Sequence, residues 1–102
     1  MPSLKDTATY VRSKAAGPFW VTIDVFCGDA STFDRIRRAP SLSARAIGDI
    51  YGVAADHVKV FEVPALNVLK ISFPRVRVQG SARDADSHAG QYFVPLLDAP
   101  VP

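Results

Sequence analysis

Apolar residues recur along this chain with two different periods, and the switch from one to the other divides it into elements. Leu4, Ala8, Val11 and Ala15 form one stripe at helical spacing. Ser3 is placed to cap that helix, and Asp6 puts negative charge in its first turn, where the dipole favours it. Gly17 suits the left-handed position past a helix end, and Pro18 cannot continue a helix. The spacing therefore predicts a helix over residues 4–15, with Arg12 and Lys14 in its last turn. From Phe19 the period becomes two: Phe19, Val21, Ile23, Val25 and Cys27 make a wholly apolar face, and Trp20, Thr22, Asp24 and Phe26 a mixed one. This strand is the most apolar run of the chain and the expected centre of a sheet.

Gly28-Asp29 breaks the strand. Asp29 or Ser31 then caps a short helix through Phe33 and Ile36 to Arg38, which Pro40 stops. Ser41 is expected to cap a third helix with Leu42, Ala46, Ile47 and Ile50 inward, closed by Tyr51-Gly52. Residues 57–63 and 66–73 read as two strands joined by a turn at Pro64-Ala65, and residues 75–79 alternate as a short edge strand would. A strand–helix–strand crossover predicts parallel neighbours, and the turn at Pro64 an antiparallel pair. The expected fold is an α+β two-layer sandwich, ferredoxin-like, with a small mixed sheet, helices on one face and an irregular C-terminal tail.

The chain of 102 residues suits one domain, with a core over 1–79 and an extended tail over 80–102. Residues 80–90 are small and polar without periodicity, whereas residues 91–97 end on aromatic and leucine side chains, as a docking segment would. In the expected fold no helix is left for the face bearing Trp20 and Phe26. Either the tail folds over that face or, the expectation favoured here, a partner or a second copy does.

Twelve Lys and Arg against ten Asp and Glu leave a net charge of +2, too slight to imply nucleic acid. Cys27 is the one cysteine, so no intramolecular disulfide can form, which fits a cytoplasmic setting. No stretch approaches the roughly eighteen apolar residues of a membrane span, and the first residues do not read as a signal peptide.

The candidate chemistry is sparse. Arg12, Ser13 and Lys14 could clamp a carboxylate or phosphate, the Arg as a bidentate fork and the Lys as a point charge. The alternative is that the two cations only complement a helix dipole and Ser13 bonds the preceding turn. Asp24, a carboxylate in mid-strand, needs a partner if buried. An ion pair with Arg12, Lys14 or Lys70 outweighs a role as general base or cation ligand. Asp84, Asp86 and His88 have a spacing that could hold a divalent metal, but a loop rich in Asp and Ser is usually solvated, so no metal is assigned. His57 falls in a turn, and Cys27 on an apolar strand face reads as an inert core residue. No glycine-rich phosphate loop, carboxylate pair or Ser-His-Asp set appears, so independent catalysis is not expected and no cofactor is assigned.

Several of these residues also form an ordered pattern: Arg12-Ser-Lys-Ala-Ala-Gly-Pro-Phe19, Thr22-x-Asp24-Val, Tyr51-Gly52, Pro64-Ala65, Lys70 and Pro74-Arg75. Gly80-Ser81, Asp84-x-Asp86, Gln91 and Pro95-Leu-Leu97 continue it. The pattern resembles an uncharacterised bacterial family, the domain of unknown function 4387, over nearly the whole chain. That family is similar to the C-terminal ferredoxin-fold domain of acyclic terpene utilisation (AtuA-like) proteins. The resemblance implies a small subunit acting with a larger AtuA-like protein in catabolism of organic acids or acyl-CoA compounds. It also implies anion or ligand binding by Arg12, Ser13, Lys14 and Asp24, a tail contribution from Asp84, Asp86, His88 and Gln91, and structural roles for Gly17, Pro18 and Gly52. The chain departs from the family pattern at Ala15, where asparagine is usual, and in the tail, where Arg83 replaces glycine, His88 tyrosine, and Tyr92-Phe93 a glutamine–histidine pair. A ligand site lined by that tail in relatives would be altered here.

Three function classes follow. The first is the accessory subunit, completing an anion-binding site with its partner. The second is a stand-alone homo-oligomer that binds a small anionic metabolite. The third is a nucleic-acid binder that stacks bases on the sheet, which Asp24 between Trp20 and Phe26 and the absence of a ribonucleoprotein motif argue against.

Overall fold

Ser3 caps the first helix as its position suggests, its Oγ accepting from the Asp6 N–H, yet the helix ends after one turn. The computed structural model describes residues 2–17, 19–75 and 92–102. In it α1 covers only Leu4–Thr7, and the rest of the expected helix is a strand, β1 (Tyr10–Ala15). The stripe of Val11 and Ala15 fits both periods. What decides between them is the neighbour: β1 pairs antiparallel with β2 (Trp20–Phe26), from Tyr10 opposite Phe26 to Ala15 opposite Val21. Gly17, with φ +79°, sits in the turn between these two strands rather than behind a helix.

The next elements follow the sequence closely. Asp29 caps α2 (Ala30–Arg37), whose Phe33 and Ile36 are buried. A 3₁₀ turn at Pro40–Leu42 precedes α3 (Ala44–Tyr51), and Ser43 rather than Ser41 is the cap, its Oγ accepting from the Ala46 N–H. Ile47 of α3 points inward as expected, but Ile50 is exposed. Gly52 closes α3 in the left-handed conformation, φ +69°. Strands β3 (Lys59–Val63) and β4 (Val68–Pro74) are joined by the 3₁₀ turn Pro64–Leu66, with Asn67 at φ +53°.

The sheet order is β1-β2-β4-β3 and every pair is antiparallel, not mixed. The crossover through α2 and α3 does join strands of the same direction, β2 and β3, but β4 returns between them. This is a split strand–helix–strand unit, the hallmark of ferredoxin-like sheets. Here the fourth strand of that arrangement is β1, which enters before the unit instead of after it.

One sheet face carries Val21, Ile23, Val25, Leu69, Ile71 and Phe73, all buried and packed with Leu4, Phe33, Ile36 and Ile47 of the helices. Residues 94–101 belong to this layer. Leu96, Ala99 and Val101 are buried in the same core, so the end of the presumed tail is structural. It runs beside the N-terminus: Leu4 N–H donates to Ala99 O at 2.8 Å, and Val101 N–H to Pro2 O at 2.8 Å. Among the described residues no helix is long and apolar enough to cross a membrane. The expected edge strand at 75–79 lies outside the described residues from position 76 on.

Candidate functional site

Strand alternation separates residues that the sequence sets side by side. Arg12 and Lys14 project from the sheet face opposite the helices, while Ser13 is buried on the helix side. There Ser13 Oγ accepts from the Phe93 N–H at 3.1 Å and anchors the C-terminal segment. The expected three-residue clamp therefore does not form, because neighbours in a strand face opposite ways.

The face opposite the helices carries no helix among the described residues. In-register pairing arranges it in rows. One row is Tyr10, Phe26, Val68 and Val63; the next is Arg12, Asp24, Lys70 and Phe61; the next is Lys14, Thr22, Ser72 and Lys59; Trp20 and Pro74 follow. Tyr10 is 58% and Phe61 51% exposed, large values for aromatic side chains on a sheet. Tyr10 and Phe26 pack ring to ring, with centroids 5.7 Å apart.

Asp24 is 1% exposed at the centre of this face. Its Oδ2 lies 3.3 Å from Arg12 Nε and its Oδ1 3.2 Å from Lys70 Nζ. The Lys70 contact is an ion pair without hydrogen-bond geometry, so Oδ1 is held by charge alone. The two cations are half-exposed and close over the carboxylate, and the Arg12 guanidinium also lies 5.2 Å from the Phe26 ring centroid. The ion pair expected for Asp24 thus exists, but it ties β1, β2 and β4 together instead of a helix to the sheet. Lys14 takes no part in it. With Asp24 enclosed, Arg12, Lys14, Lys59 and Lys70 leave the described part of this face strongly positive.

The other candidates lie apart. Cys27 is buried, and burial, then the charge of Asp29, pushes its thiol up to about 11. A thiol held that high is no nucleophile near neutrality. His57 is exposed in the 3₁₀ turn Ala55–His57. Tyr51 stacks on Phe73 at 4.5 Å between centroids, and burial raises its hydroxyl pKa. Among the described residues no three His, Cys, Asp or Glu side chains gather as metal ligands. Pro18, Asp84, Asp86, His88 and Gln91 lie outside the described residues. Periodicity already sets Thr22 on the mixed face of β2, but only the pairing of distant strands brings it, with Ser72 and Lys59, beside Lys14. Alternation along residues 68–74 could have flagged Ser72 as sharing a face with Lys70.

Residues 4–100 match the family described as "Domain of unknown function (DUF4387)". No curated protein and no solved structure matches the chain.

Proposed function

The chain belongs to the DUF4387 family, and we propose that it works as a small binding subunit of a larger, AtuA-like protein. Its sheet face opposite the helices, open among the described residues, docks on that partner, and the two together hold an anionic group of an organic acid or acyl-CoA compound. One observation carries this reading: exposed aromatics share the open face with four cations, while the face's single described carboxylate is already enclosed by Arg12 and Lys70. Such a surface is apolar enough to bury and positive enough to select an anion. Opposing two copies of it would set cations against cations, which favours a different chain as the partner. With no nucleophile–base pair among the described residues, the role is binding rather than independent chemistry.

The test is the native mass of the tagged chain, by light scattering and mass spectrometry. A complex with an identified AtuA-like chain, released by Phe61→Asp or Tyr10→Asp, is the expected result. A homo-oligomer with nothing attached would overturn it and leave a self-contained metabolite-binding module.

A further inference from the structure

If the open face is a binding surface, as proposed above, its chemistry is concentrated in one row. Lys14, Thr22, Ser72 and Lys59 stand opposite one another across all four strands. Residues paired in register project to the same side, so two hydroxyls at the middle of the sheet have an ammonium group on either flank. Thr22 and Ser72 are half-buried, and neither hydroxyl has a hydrogen-bond partner among the described residues. Lys14 makes no ion pair among them, and Lys59 meets only the Trp20 ring, 5.8 Å from its centroid. Among the described residues the nearest carboxylate on the face is Asp24, one row away and enclosed by Arg12 and Lys70. The row therefore has donors and positive charge and no acid of its own.

Paired hydroxyl donors between two point charges match a tetrahedral oxyanion better than a planar carboxylate, which an Arg fork would read. Trp20 lies on the same face of β2, two residues or about 6.8 Å from Thr22. A planar group attached to the anion would reach its ring.

We propose that this row binds the phosphate of a small phosphate monoester. Thr22 Oγ1 and Ser72 Oγ donate to phosphate oxygens, Lys14 and Lys59 supply the charge, and Trp20 receives a planar substituent.

The experiment is an amide and indole NMR titration of the full chain, at constant ionic strength, with inorganic phosphate, phenyl phosphate, acetate and a single-stranded oligonucleotide. Saturable shifts at Lys14, Thr22, Ser72 and the Trp20 indole are expected, with phenyl phosphate tighter than inorganic phosphate. Thr22→Val with Ser72→Ala should weaken binding about tenfold or more, the effect of losing hydrogen bonds to a charged group. Lys14→Ala, at an exposed position, should weaken it several-fold without disturbing the fold, and Lys5→Ala on α1 should leave it unchanged. No saturable shift in the millimolar range, acetate binding as tightly as phosphate, or undiminished binding by the double variant would each overturn the site. A far tighter, steeply salt-dependent response to the oligonucleotide would replace it with a nucleic-acid surface. A heteromer that forms although this row binds no phosphate would remove the site and leave the subunit proposal standing. Phosphate binding by a chain that has no partner would do the reverse.

Discussion

Asp24 shows how one side chain organises a surface. Its carboxylate is buried while both of its cations are half-exposed, so the energetics are lopsided. Removing the carboxylate by Asp24→Ala lets Arg12 and Lys70 turn to water and should cost only about 1 kcal/mol. Removing both cations, by Arg12→Met with Lys70→Met, strands a buried charge and should cost about 3 kcal/mol. Adding Asp24→Leu to that pair should recover most of the loss, and urea unfolding of the three variants measures it. Cys27 gives a second prediction at this scale. Its folded pKa, about 11, lies above the ordinary value of 9.0. Its contribution to stability is therefore intact below pH 9.0 and lost as pH rises toward 11. Buried Tyr51, also raised, acts in the same direction at higher pH. Unfolding measured across that window should show alkaline destabilisation that Cys27→Ala reduces, and the native thiol should resist alkylation at neutral pH. The need of Asp24 for a counter-charge was legible in the sequence. Arg12, Lys14 and Lys70 were its candidate partners there; that Arg12 and Lys70 supply the charge together and Lys14 does not was not legible, because the pairing register sets which side chains meet.

Among the elements, the second helix and the central strand were legible because period, cap and breaker agree. Asp29, Phe33, Ile36 and Pro40 all point to the same helix, and Gly52 marks the end of α3 by a left-handed turn. Residues 10–15 were not legible. Over six residues the positions of Val11 and Ala15 satisfy a helix as well as a strand, and the choice lies with β2, whose edge exchanges hydrogen bonds with β1. Gly48 separates local propensity from packing in the same way. In an isolated helix, Ala in its place would stabilise by about 1 kcal/mol. Here a Cβ at that position would come 2.4 Å from the Val53 carbonyl oxygen, part of the backbone that folds back over α3. Gly48→Ala is therefore expected to destabilise by about 2 kcal/mol, the range of overpacked sites, as a lower thermal midpoint would show.

For the molecule as a whole, the two ends of the chain are joined by hydrogen bonds, and residues 94–101 complete the core. Leu96 is fully buried, so Leu96→Ala should cost about 3 kcal/mol in a urea melt, although it lies in the segment expected as a tail. Because Val101 and Pro2 are in contact, a short linker from residue 102 to residue 2 should let the chain be reopened in the turn between β1 and β2. The permuted protein would present its strands in ferredoxin-like chain order, and a cooperative melt near that of the parent is expected. Collapse to an unfolded chain would show that β1 must enter first. The sequence by itself determined the α+β class, the central strand, most caps and breakers, and the mixed character of the face bearing Trp20 and Asp24, since these follow from short-range periodicity and backbone preference. Only the tertiary structure decided that residues 10–15 are a strand, that the sheet is wholly antiparallel, that Ser13 faces away from Arg12 and Lys14, and that Thr22, Ser72 and Lys59 stand beside Lys14. These depend on hydrogen bonds between residues far apart in the chain, which local pattern does not encode.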